Sequence, residues 1–172
     1  LQNVDIVAGQ IARVVKQHYR VVITHGNGPQ IGNLLLQQEQ GQQQTPGQPL
    51  DICGAMTQGQ IGYMLQNRLA GHFARIFEEA LPVCTVLTQV EVDLAGGAAA
   101  PPCKPVGPLY TAAEARRLER AHGYVMRNVA PHEEHGWRRV VASPPPLRIV
   151  EAEPILQLLR NHVVVIACGG GG

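Results

Sequence analysis

The residues best placed to do chemistry stand in two glycine-rich turns, His25-Gly26-Asn27-Gly28-Pro29-Gln30 and Gly169-Gly170-Gly171-Gly172. Each follows a short β-branched run, Val21-Val22-Ile23 and Val163-Val164-Val165-Ile166, the pattern of a buried strand. In an open α/β sheet, ligands bind beyond the carboxyl ends of the strands. The first turn runs straight into helical periodicity, with Pro29 suited to the first helical position. Free N–H groups and the positive dipole end of such a helix attract an anion, and glycine lets the backbone come close to it. A glycine turn without a full phosphate-loop or dinucleotide pattern is equally compatible with a tight connection and no ligand. Two turns on one sheet edge favour the anion site, and four consecutive glycines are entropically costly for a purely structural role.

Positive charge is carried by twelve arginines and only two lysines, Lys16 and Lys104. The two cations are not interchangeable at a phosphate, so a rare lysine marks a position to examine. Lys104 lies in Pro102-Cys103-Lys104-Pro105-Val106-Gly107-Pro108, read as a proline-stiffened loop from which an ammonium could reach a phosphate or carboxylate. A solvated loop lysine is the plainer alternative. His132-Glu133-Glu134-His135 lacks the i, i+4 histidine spacing of a zinc helix and reads as a solvated hairpin turn, so no metal ligands are assigned. Arg138 and Arg139 read as hairpin surface charges, and Trp137 and Tyr110 as packing anchors. No nucleophile–base–acid arrangement or paired carboxylates stand out.

The elements that must position these residues follow from periodicity. Helices are predicted over residues 4–18, from 31 into a glutamine-rich segment at 37–48, over 51–77, over 111–122 and over 153–161. Val4, Val7, Ile11, Val14 and Val15 form the expected apolar face of the first. Gly54, Gly59 and Gly62 in the third each cost about 1 kcal/mol in a helix interior, which predicts close approach of a backbone or ligand there. Thr111 and Glu114 form a capping box. Strands are predicted over 21–23, 83–92 and 163–167, with a small hairpin at 124–129 and 137–142. Residues 93–108, rich in Ala, Gly and Pro, read as a loop. Strands alternating with helices imply an α/β fold, a mostly parallel sheet covered by helices, with a small α+β insert. The boundaries are 1–93 for the first α/β region, 94–142 for the insert and 143–172 for the return to the sheet.

The bulk numbers narrow the class. At 172 residues the chain is about one domain long, and its 45% apolar content supports a core. A net charge of +1 gives no footprint for nucleic acid or an anionic membrane. No apolar run approaches the roughly 18 residues of a membrane span, and no secretory signal opens the chain. Cys53, Cys84, Cys103 and Cys168 are widely spaced and read as reduced thiols of a cytoplasmic protein.

The strings themselves resemble carbamate kinases of the amino-acid-kinase fold. Residues 22–39 carry the likeness most densely. It continues in Thr57-Gln58-Gly59-Gln60-Ile61-Gly62-Tyr63, in residues 86–93, in Lys104-Pro105-Val106-Gly107-Pro108 with Tyr110, in Arg138-Arg139-Val140-Val141 and in residues 166–172. They occur in the family's order and cover nearly the whole chain. The resemblance implies a three-layer α/β/α kinase whose protruding subdomain is the insert at 94–142. It implies phosphoryl transfer between ATP and carbamate, giving ADP and carbamoyl phosphate, with Mg2+, in a cytoplasmic homodimer serving arginine metabolism. Gly26, Asn27, Gly28 and Gln30 would meet the carbamate or phosphoryl group, Gly169, Gly170, Gly171 and Gly172 would line the phosphate site, and Lys104 would neutralise the transferring charge. It further implies that the chain starts after the family's first strand and stops before the nucleotide-binding part, so that it would be inactive alone. Pro145 stands where the family usually has Lys, and Ala142 where it has Pro. The alternatives are a related enzyme of the same fold acting on another carboxylate or a phosphonate, and a non-catalytic scaffold.

Overall fold

The computed structural model describes residues 2–79, 81–93 and 101–171. The chain divides into two compact units. The first comprises Leu1–Asn27, Gly54–Glu91 and Arg148–Gly172, and the second Gly28–Cys53 and Val92–Leu147.

The first unit is built on a parallel three-stranded sheet in the order β1 (Val22–Ile23), β8 (Val164–Ile166), β2 (Val83–Thr85). Successive residues of a strand face opposite sides, and β8 shows the consequence. Val164 and Ile166 pack into a core with Ala8, Ala12 and Val15 of α1 (Gln2–Lys16) and Ile61, Leu65, Leu69 and Phe73 of α3 (Leu50–Ile76). Val165 and Ala167 pack on the other side, against Ile155 of α5 (Ala152–Arg160). Helices therefore cover both faces, which is the α/β class expected from the sequence.

Two local differences have physical causes. In α1 the buried face is built on Ala8, Ala12 and Val15, whereas Val7 and Val14 are 44% and 45% exposed. The alanines lie at i and i+4 with Val15 three further on, one stripe of a 3.6-residue period. The single strand expected over 83–92 is broken into β2 and β3 (Val90–Val92). Between them Gln58 takes both backbone groups of Thr88, its Oε1 accepting from the amide at 2.9 Å and its Nε2 donating to the carbonyl at 3.0 Å. A backbone satisfied by a side chain does not join a ladder. β3 pairs instead with β7 (Pro146–Ile149), a strand the proline run hid. Of the three α3 glycines, Gly62 does meet a close neighbour: a Cβ there would strike Thr85. Gly54 and Gly59 face open space.

The second unit holds α2 (Gly28–Gly41), α4 (Ala112–His122) and an antiparallel sheet in the order β4 (Lys104–Tyr110), β6 (Trp137–Val141), β5 (Val125–Asn128). The β5–β6 hairpin is the one expected. β4 corrects the loop expected over 93–108. Prolines are tolerated in an edge strand, where an N–H can be spared, and β4 is an edge. The register slips between Val106 and Tyr110, where Gly107 takes φ +76° and its carbonyl accepts from Arg138 Nε at 2.7 Å. Ala115, Leu118 and Met126 form the small core, with Tyr110, Tyr124 and Trp137 against it.

The capping box is present: Glu114 N–H donates to Thr111 Oγ1 at 3.3 Å, and Thr111 N–H donates to Glu114 Oε2 at 2.8 Å. The bonds from Thr111 hold the Glu114 carboxyl below its ordinary range. That stabilisation is fully present above the ordinary carboxylate pKa and is lost as pH falls through the lowered one. Thr111→Ala is expected to cost α4 about 1 kcal/mol. Amide exchange in its first turn should speed up; unchanged exchange would show that the box contributes nothing.

All four cysteines are free thiols, in line with their spacing. Among the described residues no helix is long and apolar enough to cross a membrane.

Candidate functional site

The parallel register of β1 and β8, Val22 opposite Val165 and Ile23 opposite Ile166, brings the carboxyl ends of both strands to one edge. The ladder continues beyond them, with Ala167 N–H donating to Ile23 O at 2.9 Å and Gly170 N–H donating to His25 O at 2.8 Å. The two glycine turns are thereby joined backbone to backbone. The junction explains two of the glycines. A Cβ on Gly169 would run into the His25 ring and one on Gly170 into the Asn27 amide, and Gly170 also takes φ +68°. Gly26 and Gly28 have no such reason. Neither has a left-handed φ, and nothing lies within 4 Å of the Cβ each lacks. The space beside those two backbones is open, which suits a ligand that must come close.

Two buried side chains of α3 hold the junction. Thr57, 0% exposed, accepts from Asn27 Nδ2 at 2.9 Å and donates to Gly54 O at 2.6 Å. Next to it Gln58 grips Thr88, whose hydroxyl donates to Gln58 Oε1 at 3.2 Å and accepts from Cys168 N–H at 3.0 Å. Cys168 takes φ +55°, a conformation a non-glycine residue adopts only when its surroundings impose it. Consecutive residues of one helix thus fix one turn each: Thr57 through Asn27, and Gln58 through Thr88 and Cys168.

The sequence-predicted residues are placed as follows. His25, Gly26, Asn27, Gly169, Gly170 and Gly171 meet at the sheet edge, whereas Gly172 lies outside the described residues. Gly28 opens α2, with Gln30 in its first turn. Lys104 belongs to the second unit, where it is the exposed first residue of β4, opposite Val141. Sequence reasoning gave no role to Thr57, Gln58 and Thr88. The available signal was two adjacent polar residues on the first half of a helix otherwise spaced by glycines. His132, Glu133, Glu134 and His135 are exposed in the β5–β6 turn, as expected. Among the described residues no group of three or more His, Cys, Asp or Glu is placed to hold a metal.

Turns at the carboxyl ends of adjacent parallel strands, with nothing within 4 Å of the Cβ that Gly26 lacks, stand where open α/β sheets place their ligands. No protein-family model matches the chain. The carbamate kinase of Pyrococcus furiosus is 47% identical over 174 residues, covering 100% of this chain and 54% of that protein. Carbamate kinase 1 of Enterococcus faecium is 47% identical over 163 residues, 94% of this chain and 51% of its own length. The solved structure of Giardia lamblia carbamate kinase bound to AMP-PNP matches with a TM-score of 0.88 and 42% identity, covering 99% of this chain and 53% of that one. The chain spans about half the length of the curated relatives it matches. Over its whole length in sequence, and in fold, the chain is similar to about half of each of these carbamate kinases.

Proposed function

We propose that the chain supplies the carbamate-binding part of a carbamate kinase, which transfers a phosphoryl group between ATP and carbamate to give ADP and carbamoyl phosphate. The supporting observation is the junction of the two glycine turns at the ends of β1 and β8, open beside Gly26 and Gly28. Phosphoryl transfer needs little covalent help from the protein; it needs two anions positioned and their charge offset. Backbone donors at Gly26, Asn27 and Gly28, with Gln30 beside them, would orient the carbamate or the transferred group. Gly169, Gly170, Gly171 and Gly172 would line the phosphate path, and Lys104 would neutralise the developing charge.

The resemblance extends the reading to a cytoplasmic, magnesium-dependent homodimer acting in arginine metabolism, with ATP and carbamate as substrates. Among the described residues no group of three or more His, Cys, Asp or Glu stands together, so any magnesium would rest mainly on the substrate phosphates.

The test is ATP formation from ADP and carbamoyl phosphate, run on this chain and on a protein of the relatives' full length carrying it. Turnover by the longer protein and none by this chain alone is the expected result. A folded longer protein without turnover would overturn the reading and direct attention to Ala142 and Pro145.

A further inference from the structure

The second unit contains a cavity of about 570 Å3 that the kinase reading does not use. Its wall includes Glu39 of α2, Tyr110 of β4, Arg139 of β6, His122 at the end of α4 and Tyr124 just after it. The volume falls within the range of small-molecule sites. Glu39 is eleven residues beyond Gly28 on α2, which places it about 16 Å along the helix from that glycine.

The polar groups of this wall are sorted by sign. At one point Tyr110 Oη donates to Glu39 Oε2 at 2.9 Å. Burial and that bond hold the Tyr110 phenol well above its ordinary pKa. At another the Arg139 guanidinium lies 3.8 Å from the Tyr124 ring centroid, and the His122 ring stacks on the same tyrosine at 5.1 Å. Glu39 and Arg139 are both half-buried, and neither takes part in an ion pair among the described residues. A partly desolvated charge without a counter-charge is costly, and here two of opposite sign face one cavity without meeting. A small ligand carrying both an ammonium and a carboxylate would satisfy both.

We propose that this cavity binds a free α-amino acid, its ammonium on Glu39 and its carboxylate on Arg139. The Tyr110 hydroxyl orients the Glu39 carboxylate, and Tyr124 holds the guanidinium plane in place for a two-pronged contact. The test is calorimetric titration of the chain with each of the twenty common L-α-amino acids. It is repeated with the N-acetyl and the amide derivative of the tightest binder. Amide NMR shifts at Tyr110, Tyr124 and Arg139 would locate the binding. Blocking either end should weaken binding at least about tenfold, the usual loss for one charge-assisted contact. Glu39→Gln, which still accepts from Tyr110, and Arg139→Gln should each weaken it as much without changing the fold seen by circular dichroism. No binding of any amino acid at 10 mM (roughly the weakest useful affinity) would overturn the proposal. So would binding indifferent to the blocked ends, or binding unchanged in both variants while they remain folded.

Discussion

Lys104→Ala is expected to lower the turnover of carbamoyl phosphate and ADP by roughly 10²–10³-fold in a protein of the relatives' full length, the effect of deleting one preorganised charge at a transferring group. The effect follows from how the lysine is held. It is the first residue of β4, with Val141 opposite it, and Pro105 follows it with its φ fixed by the ring. Arg138 ties down the bulge three residues on through Gly107 O. The strand is therefore rigid while the ammonium is exposed, and among the described residues Lys104 makes no ion pair. A charge kept free on a rigid support suits an anion that arrives and leaves, and a structural lysine would be expected to have found a carboxylate. Because the charge matters most when it spreads over the transferring group, kcat should fall more than KM rises. Lys104→Arg should recover only part of the rate, since a planar fork does not replace a point charge. A Lys104→Ala protein retaining at least about a third of the rate, well short of one such charge, would remove Lys104 from the reaction.

What the sequence disclosed is what local pattern encodes. Val164, Val165 and Ile166 announce a buried strand, Thr111 with Glu114 announces a helix start, and the Tyr124-to-Val141 hairpin follows from alternation around a polar turn. The kinase reading came from the order of whole strings rather than from any one spacing, for neither glycine turn matches a general phosphate motif. The rest depended on partners distant in sequence. Nothing local says that Ala8 and Ala12, rather than Val7 and Val14, face α3. Nothing local says that Lys104 to Tyr110 can be a strand despite two prolines, because only the pairing with β6 makes β4 an edge. The same applies to Thr57 and Gln58, whose partners Asn27 and Thr88 lie thirty residues away in opposite directions.

Gln58 carries the second large effect. Its amide makes three bonds to Thr88: it accepts from the backbone N–H at 2.9 Å, donates to the carbonyl at 3.0 Å and accepts from the hydroxyl at 3.2 Å. Both residues are 5% exposed, so water cannot take over these groups when the amide is lost. Gln58→Leu fills most of the same volume and leaves a buried N–H and a buried carbonyl unpaired. Each such group costs about 1–3 kcal/mol, so a local loss near 3 kcal/mol is expected. The loss should be felt at Cys168, whose N–H leans on the Thr88 hydroxyl and whose left-handed backbone starts the second glycine turn. Amide exchange at Thr88 and Cys168 should accelerate roughly a hundredfold, the equivalent of that energy, while α4 in the other unit keeps its protection. Thr88→Val added to Gln58→Leu should cost less than the two changes summed, because they remove one shared network. Additive losses would mean that Gln58 merely fills space. Sub-additive losses would mean that α3 sets the shape of the turn at Gly169 and Gly170 from beneath the sheet edge, so that damage there reaches the anion site without touching a residue that lines it.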